Sequence, residues 1–85
     1  MSNYKAPMAV HPGETLREVL ETYNMSREKL AIRTRLHPVA IDDILSGKDP
    51  ISPEIARSLS LVFLMSEDFW NNLQKNYEER RENVL

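Results

Sequence analysis

Asp42 and Asp43 stand side by side in the segment Pro38–Ser46, and five cations, Arg27, Lys29, Arg33, Arg35 and Lys48, lie close to them in sequence. With Glu28 counted, residues 26–48 hold five cations against three anions, an excess of +2 in a chain whose net charge is −2. Groups of this kind make ion pairs and hydrogen bonds rather than covalent bonds. A locally basic patch on an acidic chain suits a protein that meets nucleic acid with one face only. Two adjacent carboxylates pull the other way. An aspartate can accept a hydrogen bond from the N4 amine of cytosine, but phosphates repel it, and phosphate contacts carry much of DNA affinity through counterion release.

The elements that must position these groups are helices. Ser26–Thr34 and Pro38–Ser46 flank the turn Arg35-Leu36-His37, and Gly47-Lys48 closes the second segment, the layout of a helix-turn-helix. Ser26 is a good N-cap, with Glu28 in the first turn. Leu30 and Ala31 face inward, and a small residue at Ala31 lets two helices cross closely. Ile41, Ile44 and Leu45 form the inner face of the next segment, which puts Val39, Asp42, Asp43 and Ser46 on the outside at 100° per residue. Before this pair, Pro12 occupies a first-turn position and Leu16, Val19, Leu20 and Tyr23 make an apolar stripe. After it, Ser52-Pro53-Glu54 opens a fourth helix with core positions Ile55, Ala56, Leu59, Val62 and Phe63. Ser66-Glu67-Asp68 opens a fifth, lined by Phe69, Trp70, Leu73 and Tyr77 and followed by the charge run Glu78–Glu82.

No segment alternates as a strand does, and no repeat is present. The expectation is an all-α bundle of five short helices. Eighty-five residues make one domain with a small core, which a second subunit would help to stabilise. The absence of cysteine excludes disulfides and thiolate zinc sites, and a cytoplasmic location fits that composition. No apolar run approaches a membrane span, and the N-terminus lacks the order of a signal peptide. His11 and His37 have no metal-ligand spacing. His11 reads as a helix-start residue and His37 as a turn residue able to donate to a phosphate or base. No nucleophile–base pair, phosphate loop or metal set is present, so the expectation is no enzyme, no metal and no cofactor.

Four short motifs occur in fixed order: His11-Pro12-Gly13-Glu14, Ser46-Gly47-Lys48, Ile51-Ser52-Pro53-Glu54, and Phe69-Trp70-Asn71-Asn72-Leu73-Gln74 with Tyr77. Together they resemble the HigA/VapI-type antitoxins of bacterial toxin–antitoxin modules, a branch of the XRE/Cro-like helix-turn-helix family. The resemblance runs from about Val10 to Tyr77. It implies a five-helix lambda-repressor/Cro-like DNA-binding domain over residues 11–77, preceded by a flexible N-terminal arm (1–10) and followed by a charged helix end (78–85). It also implies a homodimer that binds a palindromic operator in double-stranded DNA of its own promoter and neutralises a small ribonuclease toxin.

Carried onto this chain, the family's DNA-meeting positions are Ser26, Arg27 and Lys29 over the backbone, His37, Val39, Ala40, Asp42 and Asp43 on the recognition helix, and Lys48 just beyond it. The stripe Phe69, Trp70, Leu73 and Tyr77 at helical spacing is a core or dimer face, and the hypothesis drawn from it is that these four build the dimer contact. Two recognition helices would then lie roughly 34 Å apart. Three departures from the family pattern stand out. Val39, Asp42 and Asp43 replace small polar or basic residues. Arg35 stands where glycine is common. Leu61, Leu64 and Met65 stand where polar residues or glycine are usual. Arg35 reads as simply exposed, whereas Val39, Asp42, Asp43, Leu61 and Leu64 support an alternative, a protein-interaction module of the same fold that has lost sequence-specific DNA binding.

Overall fold

The computed structural model describes residues 9–84. The proposed arm therefore lies outside the described residues except for Ala9 and Val10. Five helices follow one another: α1 (Pro12–Thr22), α2 (Arg27–Thr34), α3 (Pro38–Leu45), α4 (Pro53–Val62) and α5 (Glu67–Val84). No strand occurs among the described residues. The charge run Glu78–Glu82 is part of α5 and stays exposed on it.

Each helix starts with a local signal. His11, Ser26, His37 and Ser52 are the N-caps of α1 to α4. The Ser26 and Ser52 hydroxyls accept from the N–H of the third residue of their helices, the usual geometry for serine. The two histidines use Nδ1 instead, and each precedes a first-turn proline: His11 accepts from the Gly13 N–H at 2.9 Å, and His37 from the Val39 N–H at 3.1 Å. Ser66 does the same work for α5, accepting from Phe69 N–H.

The first three helices end alike. Asn24 (φ 53°), Arg35 (φ 62°) and Gly47 (φ 83°) all take the left-handed conformation just past the helix. Around each, two N–H groups turn back onto helical carbonyls: Asn24 to Glu21 and Met25 to Leu20, Arg35 to Ile32 and Leu36 to Ala31, Gly47 to Ile44 and Lys48 to Asp43. These are Schellman closures, which use up carbonyls that a helix end leaves free. Met25 and Leu36, the residues following the first two, pack onto the core.

The core draws on every helix. Leu16, Val19 and Leu20 from α1, Leu30 and Ala31 from α2, Ile41 and Ile44 from α3, Ala56 and Leu59 from α4, and Trp70 from α5 are buried, joined by Ile51 and Phe63 from the connections. Leu45, Ile55 and Val62, expected inside, are partly buried against this cluster. Tyr23 departs more from its expected place on the α1 stripe. It stands past the helix end, 38% exposed, with its ring edge-on to Phe63 and its hydroxyl accepting from the Leu64 N–H at 3.3 Å. The Trp70 indole N–H finds no acceptor among the described residues.

Three outcomes follow from this architecture. The N-terminal turn of α1 lies against the C-terminal end of α3, so a Cβ on Gly13 would overlap the Ile44 carbonyl oxygen. Gly13→Ala is expected to lose about 1–3 kcal/mol in chemical denaturation, the cost of forcing one group into a packed site. Arg35→Gly relieves a left-handed side chain and is expected to gain about 1 kcal/mol, raising Tm by roughly 4–8 °C. His11 is held below its usual pKa by burial, which outweighs a backbone hydrogen bond at Asp49 and the charge of Glu14, both raising it; Arg81 lowers it further. The depressed value favours the neutral ring in the folded state, so its contribution is full above about pH 6.5 and is lost as pH falls through that value. His11→Asn retains a capping oxygen without the titration, so its thermal stability relative to the parent is expected to improve between pH 7.5 and pH 5.

Candidate nucleic-acid interface

The outer face of α3 is set by what its inner face buries. Ile41 and Ile44 have essentially no exposed surface, which leaves Val39 (55% exposed), Asp42, Asp43 and Ser46 turned outward. Ala40 is half-buried at the helix edge, where its N–H closes on the His37 carbonyl. The helix is held at both ends. At its start, His37 Nδ1 is occupied as the cap acceptor, so the ring is the tautomer with its proton on Nε2, leaving that N–H to donate outward. At its finish, Arg17 Nη2 from α1 donates to the Leu45 carbonyl at 2.9 Å, placing a cation where the helix dipole favours one.

The expected contact residues divide into two groups. Lys29 and Lys48 are exposed, and among the described residues neither takes part in an ion pair. Ser26 also lies at the surface, but its hydroxyl is committed to the Lys29 N–H. Arg27 does not stand free. Its Nε lies 3.0 Å from Asp42 Oδ1 across the α2–α3 junction, and its Nη1 lies 3.4 Å from Glu28 Oε2. A cation assigned to phosphate and a carboxylate assigned to the groove are therefore partners within one subunit. Both side chains remain about two-fifths exposed, so the pair is reachable from solvent. At that exposure an ion pair contributes well under about 1 kcal/mol to folding. Its larger effect is on charge: Asp42 is compensated, whereas Asp43 has no ion-pair partner among the described residues.

The four aromatic and aliphatic residues expected at a subunit contact are also separated. Trp70 is completely buried within its own subunit and has no surface left for a second one. The stripe that suggested it belongs to the core at that position, because α5 must cover α4 and α1 before it can meet anything else. Leu73 is partly buried against the same core. Tyr77 is half-buried, edge-on to His11 at 4.9 Å with the Arg81 guanidinium over its ring. Only Phe69, 38% exposed and edge-on to Trp70, offers ring surface outward.

Sequence reasoning missed two tethers, Arg17 on the end of α3 and Gln74. The Gln74 side chain is buried, accepts from the Ile51 N–H at 2.9 Å and donates to Glu78. Neither carries a local signal, since their partners lie 28 and 23 residues away. No group of three or more histidines and carboxylates able to hold a metal ion occurs among the described residues. No helix among them is long and apolar enough to cross a membrane.

Comparison with known proteins agrees with this geometry. No family model matches the chain. An uncharacterised HTH-type transcriptional regulator of Escherichia coli (strain K12), YddM, is 36% identical over 69 residues, covering 79% of this chain and 73% of YddM. Among solved structures, an addiction module antidote protein of the HigA family from Coxiella burnetii superposes with a TM-score of 0.85 at 32% identity, covering 88% of this chain and 83% of that one. The Pseudomonas aeruginosa antitoxin HigA, solved with the higBA promoter, gives 0.84 at 32% identity, with coverage of 89% and 84%. The relatives are regulators and antitoxins rather than enzymes. The buried Ile41–Ile44 face, the three-residue turn and the extent of these matches agree: the chain belongs to the HigA-type branch of the XRE/Cro-like helix-turn-helix family.

Proposed function

We propose that this protein is a DNA-binding antitoxin that represses its own operon and neutralises a partner ribonuclease toxin in the cytoplasm. The observation that carries the reading is α3, pinned at both ends with an outward polar face, in a fold that matches an antitoxin solved with its promoter. Two copies of the chain present two such helices to successive major grooves. The positively charged contacts come from Lys29 and Lys48, with the N-terminus of α2 and the His37 Nε2–H beside them. Val39, Ala40, Asp42 and Asp43 face the bases. Phe69 leads the α5 surface that meets the second subunit, and Leu73 and Tyr77 support it from behind.

The rival reading, an interaction module without DNA activity, draws on Leu61 and Leu64, which are 81% and 95% exposed. Met65 no longer counts toward that surface, because it is partly buried against the core. An exposed pair of leucines is compatible with an antitoxin, which must hold a toxin as well as DNA.

Binding to the DNA directly upstream of the gene, followed by anisotropy across a salt series, tests the proposal. Affinity is expected to fall steeply with salt. Lys29→Ala and Lys48→Ala are each expected to weaken binding to all sequences alike and to reduce the slope of log K against log salt by about 0.9 per subunit. No binding at low salt would favour the interaction module.

A further inference from the structure

The Arg27–Asp42 pair joins the two helices of the motif at the surface α3 would present to a duplex, and its chemistry is more specific than a stabilising contact. Asp42 Oδ1 lies 3.0 Å from Arg27 Nε, in an ion pair. No other hydrogen bond or ion pair to this carboxylate occurs among the described residues, and the side chain is 42% exposed. The arrangement leaves Oδ2 without a partner among the described residues, on the outward-turned position of α3 one helical turn beyond Val39. We propose that Asp42, oriented by Arg27, reads the N4 amine of a cytosine in the major groove and so fixes a C·G pair in each half of the operator.

The alternatives are disfavoured by the same carboxylate. Guanine presents O6 and N7 and thymine presents O4, all acceptors that would face carboxylate lone pairs. Adenine offers an amine beside an acceptor, a pattern that an amide matches and a carboxylate does not. Arg27 has two parts in this. It favours one orientation of the carboxylate over the others, a bias that a free aspartate on an exposed helix face lacks. It also offsets a negative charge that phosphates would otherwise repel. The charge of Arg27 is then largely spent within the protein, and non-cognate DNA gains little from it. Asp42 raises discrimination by lowering the affinity for every sequence that lacks the cytosine.

This inference rests on the operator-binding reading above, and one experiment separates the two. Duplexes are selected from a randomised pool by the parent protein, by Asp42→Ala and by Asp42→Asn, and the recovered sequences are compared position by position. The parent is expected to recover a two-fold symmetric site with cytosine at one position per half. In Asp42→Ala that preference, about 10-fold, disappears while the other positions keep theirs. Non-specific binding by this variant strengthens, with a salt slope steeper by up to about 0.9 per subunit as Arg27, left with only its exposed Glu28 contact, becomes available to phosphate. Asp42→Asn is expected to move the preference at that position from cytosine to adenine, a change that a purely structural residue would not produce. Thermal unfolding of both variants checks that the fold is kept, which the surface position of Asp42 favours. An intact parent site with unchanged base preference in both variants overturns the role of Asp42 and leaves DNA binding standing. A parent that recovers no site overturns both.

Discussion

The orientation of α3 is the constraint on which the rest depends. A helix of eight residues is too short to be stable alone, and its rotation about its own axis decides which side chains face outward. Here that rotation is fixed three times over. Ile41 and Ile44 are sealed in the core, Gly13 lets α1 close onto the Ile44 carbonyl, and Arg17 holds the next carbonyl along. The start of the helix is fixed separately by His37 and Pro38, whose cap and ring set the first turn. A rotation of one residue would move every outward group by about 100°. Gly13 and Arg17 of α1 therefore act on the outward face of α3 through its backbone carbonyls.

The closures of α1, α2 and α3 add a second layer of order. Each helix ends in one left-handed residue followed by an apolar or basic one, so the chain reverses within a few residues and the helices pack without long connections. Only the third closure uses glycine. Asn24 is a residue type that tolerates this conformation, whereas Arg35 carries a backbone cost of its own. The packing of Leu36 onto the core is what holds that turn in place.

Much of this was legible in the amino-acid sequence because the signals are local. Serine or proline at a helix start and glycine after the third helix need only a few neighbours to act, and all five helices fall where those residues put them. The site was less legible because its determinants are not local. Arg27 and Asp42 are fifteen positions apart, and their contact exists only once α2 has crossed α3. Read singly, one is a cation for phosphate and the other a repelled anion; read as a pair, they form a compensated unit. Trp70 teaches the same lesson for apolar residues. Helical spacing says that Phe69, Trp70, Leu73 and Tyr77 favour one side of α5, but it does not say whether that side meets its own core or another subunit. The structure divides the stripe, giving Trp70 wholly to the core and leaving Phe69 at the surface.

The electrostatics follow from that pairing. Net charge alone describes an acidic protein, an unpromising partner for DNA. Charge counted along residues 26–48 describes a basic segment crossed by acid. Neither count describes the surface, because Coulomb interactions depend on distance in space and screening removes them beyond about 10 Å at moderate salt. Once Arg27 and Asp42 are taken together, the exposed cations of residues 26–48 without an ion-pair partner among the described residues are Lys29, Arg33, Arg35 and Lys48, in company with a helix whose own carboxylates are half compensated. Charge of this kind attracts a polyanion without choosing among sequences. Affinity for a particular sequence must then come from what the bases offer to α3, which favours discrimination over raw binding strength and suits a regulator that must leave most of the genome unoccupied.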